Sequence, residues 1–156
     1  MERLELLRHA PRDPDGDRLS AAGRALAESV GRSRTGVEYA AVFVSPAERA
    51  AETAAWFLRG VGQQLPEHGV VPGLAGQDAS GGSPEGLAAG VRALLDQIPE
   101  GGRGLAISHT PMVERAAFGL TGLEVAPMRE CEGLLITRAD DGSIAVEELR
   151  LGEPTG

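Results

Sequence analysis

Short apolar runs that alternate with stretches of helical periodicity narrow the fold of this chain more than any other feature. Residues 3–7 (Arg-Leu-Glu-Leu-Leu), 39–44 (Tyr-Ala-Ala-Val-Phe-Val) and 104–108 (Gly-Leu-Ala-Ile-Ser) read as strands. After the first, Ser20 is an N-cap for a helix with Ala22, Ala25, Leu26 and Val30 on one face, ending in the Gly31–Gly36 region. Gly23 in its first turn costs about 1 kcal/mol relative to Ala, so a close contact is expected there. After the second, Ser45-Pro46-Ala47-Glu48 reads as a capping box with Pro at the first helical position. Ala47, Ala50, Ala54, Phe57, Leu58 and Val61 then line a helix that Gly60 and Gly62 close. After the third, Thr110-Pro111 reads as a cap for a helix reaching about Gly119 or Gly122.

Between these units, Val70–Leu74 reads as a short edge strand and residues 75–83 as a flexible loop. Ser83-Pro84 caps a helix carrying Leu87, Val91, Leu94, Leu95 and Ile98, stopped by Pro99. Residues 132–138 and 143–149 alternate around Ala139-Asp140-Asp141-Gly142, a hairpin signal. The expected fold is a three-layer α/β/α sandwich, its sheet mostly parallel and finished by a C-terminal antiparallel hairpin. A chain of 156 residues fits one domain, expected over 1–150 with a frayed tail at 151–156. Few aromatics make the core aliphatic.

The formal charge of −8 argues against a nucleic-acid surface, which needs many cationic phosphate contacts. Every basic residue other than His is Arg, a compositional bias without functional meaning. A lone cysteine, Cys131, permits neither an intramolecular disulfide nor a cysteine metal cluster. The run from Pro11 to Asp17 holds three Asp residues, but a calcium loop starting at Asp13 would need Gly and Glu where Arg18 and Arg24 stand. It reads as a solvated acidic loop. Nothing at the N-terminus combines a basic flank with an apolar segment, and no apolar run approaches membrane-spanning length, so the expectation is a cytoplasmic protein without membrane contact, metal or cofactor, of open oligomeric state.

Three strand ends offer Arg8-His9, Ser45 with Arg49 one turn into a helix, and Ser108-His109. Carboxyl ends of parallel strands share one edge, where ligands of open α/β sheets bind. Two His, two Arg and two helix N-termini suit a phosphoryl group, since helix N-termini offer free N–H donors and Arg a fork matched to phosphate oxygens. Ser45 and Thr110 read as caps first, with a secondary ligand role. Arg12 and Arg18 read as loop charges within possible reach of substrate, His68 as a surface residue and Trp56 as helix packing.

Leu7-Arg8-His9-Ala10, Leu19-Ser20-Ala21-Ala22-Gly23, Val44-Ser45-Pro46 with Arg49 and Glu52-Thr53-Ala54, and Ile107-Ser108-His109-Thr110-Pro111 together resemble the histidine phosphatase superfamily. The resemblance covers residues 4–122, and the short chain is similar to the small bacterial phosphohistidine phosphatases. It implies a phosphoglycerate mutase-like fold, His9 as nucleophile through a phosphohistidine intermediate, and Arg8, Arg49 and His109 on the phosphoryl oxygens. Arg charges are expected to lower the His9 pKa and keep a ring nitrogen free to attack.

Two departures stand out. Ala10 replaces the family's Gly, and Leu74-Ala75-Gly76 stands where larger members carry a Glu general acid. Without that acid an alkoxide leaves poorly, whereas an imidazole needs no proton from the enzyme. The expected substrate is therefore protein phosphohistidine, and the choice of Asp78, Glu85 or no residue as general acid stays open. A phosphomonoesterase for a small phosphorylated metabolite is the alternative, and a non-catalytic phospho-binding module is a third reading.

Overall fold

The computed structural model describes residues 1–152. Its strands are β1 (Glu2–Arg8), β2 (Ala41–Val44), β3 (Gly69–Val70), β4 (Arg103–Ser108), β5 (Gly133–Arg138) and β6 (Ile144–Leu149). The helices are α1 (Ala21–Arg32), α2 (Glu48–Val61), α3 (Pro84–Asp96) and α4 (Met112–Thr121), with a 3₁₀ turn over Pro72–Ala75. The six strands form one sheet in the order β3-β2-β4-β1-β5-β6. β3, β2, β4 and β1 run parallel, and β5 and β6 complete the sheet antiparallel.

Strand alternation sends neighbouring side chains to opposite faces. Leu4, Leu6, Phe43, Ala106, Leu134 and Ile136 pack with Leu87, Val91, Leu94 and Leu95 of α3 and Val113, Ala116 and Ala117 of α4. Leu7, Val42, Val44, Leu105 and Ile107 pack with Ala27 and Val30 of α1 and Ala50, Ala54, Phe57 and Leu58 of α2. The result is the expected three-layer sandwich with a largely aliphatic core.

Glycines set how closely the backbones approach. At Gly23 a Cβ would lie 2.0 Å from the Pro11 carbonyl oxygen, the contact expected there. α1 and α2 meet at Gly31 and Gly60, where a Cβ would lie 1.9 Å from the Phe57 oxygen and 2.1 Å from the Glu28 oxygen. Gly60 therefore lies inside α2 as a packing residue. Gly62, at φ +98°, is the residue that ends it.

Other local expectations needed correction. Residues Pro72–Ala75 form a 3₁₀ turn and only Gly69–Val70 are strand, consistent with Pro lacking a ladder N–H. The N-cap of α2 is Ala47, which has no polar side-chain atom; Ser45 Oγ lies 2.6 Å from His109 Nε2 and accepts the Ala47 N–H only at 3.4 Å. The N-cap of α4 is Pro111, joined to Thr110 by a cis peptide bond, while the Thr110 hydroxyl donates to Glu114. Ser20 and Ser83 do cap α1 and α3, accepting from the N–H groups of Gly23 and Gly86.

Charged groups tie down the sheet ends. Glu5, fully buried on β1, accepts from Arg34 at 3.0 Å, from Arg103 at 2.7 Å and from the Tyr39 hydroxyl. Such a carboxylate is tolerated only because its partners replace its water shell. Burial, followed by the Glu5 charge, pushes the Tyr39 pKa up. Buried Glu132 accepts from the backbone N–H groups of Arg129 and Leu151, each at 2.8 Å. Leu151 is thereby held at the start of the expected frayed tail; residues 153–156 lie outside the described residues.

Candidate active site

The central parallel strands bring the chemistry together. β2, β4 and β1 are neighbours, and Arg8 pairs in register with Ser108, so Arg8-His9 and Ser108-His109 leave the sheet side by side. The His9 N–H donates to the Ser108 carbonyl at 3.0 Å and the Ser45 N–H to that of Ile107 at 3.1 Å. Three strand ends thus open on one pocket of about 670 Å³ whose wall includes Arg8, His9, Arg12, Arg49, His109 and Thr110.

His9 is buried, and its Nδ1 lies 2.7 Å from the Ala10 carbonyl oxygen. A carbonyl only accepts, so this contact assigns the ring hydrogen to Nδ1 and leaves the Nε2 lone pair free. Ala10 is pinned in turn: its N–H donates to Thr53 Oγ1 at 2.9 Å, and the Thr53 hydroxyl donates to the Arg49 carbonyl at 2.7 Å. The methyl of Ala10 is fully buried and its φ is not positive, so the loop accommodates Ala at this position. The His9 pKa is lowered chiefly by burial; Arg49 and Arg8 add to this and the Ala10 bond opposes it. The Arg charges act in the expected direction, and desolvation ranks ahead of them.

Arg49 Nη2 lies 3.3 Å from His109 Nδ1 and Ser45 Oγ lies 2.6 Å from His109 Nε2. Arg has only hydrogens to give, so Nδ1 accepts and Nε2 donates to Ser45. Burial, then the charges of His9 and Arg49, bring the His109 pKa down to about 4. The two imidazoles meet edge to face with centroids 5.2 Å apart.

Both Arg side chains are anchored on one side and unsatisfied on another. Arg8 Nη1 donates to the Met128 carbonyl at 2.8 Å, with Glu130 3.7 Å from Nη2. Arg49 Nη1 is held by Asp17. The Nε atoms of Arg8 and Arg49 are buried without a hydrogen-bond partner. Two buried cationic donors converging on one pocket, beside neutral imidazoles, make a receptor for an oxyanion.

Of the other sequence candidates, Thr110 lines the pocket, and Ser45 reaches it through His109. Arg12 also lines it, whereas Arg18 is exposed, 3.9 Å from Asp13, and is not part of the wall. Asp78 lines a neighbouring cavity, its Oδ1 accepting from the Ser80 N–H and hydroxyl. Glu85 lies in the first turn of α3 and lines neither cavity. Among the described residues, no carboxylate lines the His9 pocket. Among the described residues, no group of three or more His, Cys, Asp or Glu is placed to hold a metal ion.

Sequence reasoning missed Gln77, whose isolated amide has no motif around it, and Asp17. Asp17 was read as part of a solvated loop, but its Oδ2 accepts the Glu48 N–H at 2.6 Å and its Oδ1 holds Arg49. Its partners lie more than thirty residues away, so no local pattern marks it.

The pattern of residues 6–75 matches the family model of the histidine phosphatase superfamily (branch 1). No curated protein sequence matches the chain. The fold is similar to that of the protein histidine phosphatase SixA complexed with tungstate, at 25% identity, covering 95% of this chain and 96% of that one with a TM-score of 0.72. It is also similar to Bacillus stearothermophilus YhfR, at 18% identity, 95% and 96% coverage and a TM-score of 0.75. A phosphoserine phosphatase mutant from Entamoeba histolytica, in complex with phosphoserine, shares it at 15% identity, 96% and 97% coverage and a TM-score of 0.75.

Proposed function

We propose that this chain, carrying the histidine phosphatase pattern over residues 6–75, is a phosphohydrolase that works through a covalent phosphohistidine on His9. The observation that carries the reading is the His9 ring itself. Its Nδ1 is committed to Ala10 and its Nε2 is free, in a pocket walled by Arg8, Arg49 and His109. Nε2 attacks phosphorus, the bond from phosphorus to the leaving atom breaks, and the phosphoryl group rests on His9. Water then attacks phosphorus, the His9 Nε2–phosphorus bond breaks with its electron pair returning to Nε2, orthophosphate departs, and the water's proton passes to solvent. Phosphoryl transfer asks mainly for positioning and for stabilisation of the equatorial oxygens, which two fixed guanidinium groups supply.

The substrate favoured by this pocket is protein phosphohistidine. With no carboxylate in the wall, a leaving group that departs without a proton from the enzyme has the advantage. Phosphohistidine protonated on its other ring nitrogen leaves as neutral imidazole. The similarity to SixA, a protein histidine phosphatase, points the same way. Supporting the alternative of a small phosphorylated metabolite, the fold is also shared by a phosphoserine phosphatase, and Asp78 is the chain neighbour of Gln77 in the pocket wall.

The test is hydrolysis of phosphohistidine, an aryl phosphate and an alkyl phosphate by wild type and His9→Ala. Loss of at least about a thousandfold in His9→Ala is expected, with acid-labile phosphate trapped on the wild type and a clear preference for phosphohistidine over the alkyl ester. A fully active His9→Ala protein would overturn the mechanism. Equal turnover of the alkyl ester would shift the substrate to the small metabolite.

A further inference from the structure

A second cavity, of about 390 Å³, lies against the phosphoryl pocket, and Gln77 and Met112 are walls of both. It runs inward from the exposed residues Gln77, Asp78 and Gly90 to buried Leu6, Leu74 and Leu94. Its lining is overwhelmingly apolar. The Ser108 hydroxyl, one of its few polar groups, is already spent on the Leu74 carbonyl at 2.5 Å. A concave, mostly apolar space with a few polar groups at its rim, adjoining the proposed phosphoryl pocket, has the properties of a ligand site.

Helix α3 keeps this space open in an unusual way. Gly86 and Gly90 both line it. Gly86 has a packing reason, since its Cβ would fall 2.2 Å from the Ser80 side chain. Gly90 has none: nothing lies within 4 Å of where its Cβ would be. A glycine in mid-helix weakens the helix, and here no neighbour requires it. What its missing side chain does is leave the cavity mouth clear.

We propose that the cavity is a side-chain subsite, taking an apolar residue of the polypeptide whose phosphorylated histidine sits against His9. This rests on the phosphohistidine reading above. A polypeptide suits the surroundings because β3 is the open edge of the sheet, with both of its residues exposed, and leads directly into Val71 and Pro72 of the cavity wall. An extended chain finds free backbone groups along such an edge while it places alternate side chains into pockets beside it. The phosphoryl group is held by charge and the neighbouring residue by burial, so specificity for sequence is separate from the chemistry.

The experiment uses serine-rich peptides with one phosphohistidine and a single leucine walked from two residues before it to two residues after, beside an all-serine peptide and free phosphohistidine. In the wild type the best leucine position is expected to raise kcat/KM about tenfold over the all-serine peptide, mostly through KM, the discrimination one aliphatic group supplies in a pocket. In Gly90→Leu, which fills the mouth, that ratio falls to about one. In Gly90→Ala, which strengthens the helix with little added volume, it survives. Equal kcat/KM for leucine and serine peptides in the wild type, or a preference untouched in Gly90→Leu, overturns the subsite while free phosphohistidine is still hydrolysed. If only an aryl phosphate with an apolar tail senses Gly90→Leu, the cavity serves a small amphiphile and the polypeptide proposal fails. No turnover of any phosphohistidine compound overturns this proposal together with the substrate reading beneath it.

Discussion

Asp17 joins the acidic loop to the pocket, one oxygen taking the Glu48 N–H at the start of α2 and the other holding Arg49. These two roles separate by substitution. Asp17→Ala loses the acceptor for a free helix N–H and is expected to cost about 1 kcal/mol in urea unfolding, with a raised KM as Arg49 loses its brace. Asp17→Asn keeps an acceptor and unfolds close to the wild type. Its effect is electrostatic: Asp17 supports the charged form of His109, so removing the carboxylate moves the His109 titration further down. NMR titration of the ring protons reads this directly, and an unmoved His109 would mean that the ion pair is screened.

Among the elements, the contact of α1 with α2 leaves no room for a side chain. Gly31 and Gly60 let the backbones touch, so Gly31→Ala drives a methyl into the Phe57 carbonyl. Overpacking a dense interior costs about 1–3 kcal/mol. The upper end is expected because the obstacle is backbone, and a melting temperature lower by about 6–12 °C would show it. A change below 1 °C would mean that the helices slide apart freely. The strands that carry the site were legible because each is an apolar run that stops at a polar residue, and a parallel sheet aligns such ends. Caps were less legible. Ser45 and Thr110 carry the chemistry of a cap, yet the short contact of Ser45 is with His109, its Ala47 N–H contact being 3.4 Å, Thr110 donates to Glu114, and the Glu48 N–H of α2 is taken by Asp17, remote in sequence. Hydrogen-bonding capacity can be read locally; the choice between near and distant partners is made by the tertiary fold. Gly60 misled for the same reason, since a glycine that ends a helix and one that lets another helix approach look alike in sequence.

Across the whole molecule, pH dependence follows from two imidazoles held neutral. For both His9 and His109 the folded pKa lies below the ordinary value of 6.5. Between the folded and unfolded values the unfolded chain binds more protons, so stability falls with falling pH there. Stability from this source is complete above about 6.5 and is lost progressively as pH drops toward about 4, the value His109 reaches. Urea midpoints measured from pH 8 to pH 4 should show this slope, and His109→Asn should flatten it; an unchanged slope would assign it to carboxylates. Activity is likewise expected to extend to lower pH than an imidazole of ordinary pKa would allow, because burial, with the charges of Arg49 and Arg8, lowers the His9 pKa. The pairing of Arg8 with Ser108 has a further consequence, for assembly. Residues one hundred positions apart must close a loop before any phosphoryl pocket exists, and contacts of such sequence separation form late and slowly. A nascent chain that has emerged only through residue 75 carries the stretch that matches the family model but neither β4 nor His109, so the pocket cannot close until synthesis has passed residue 109.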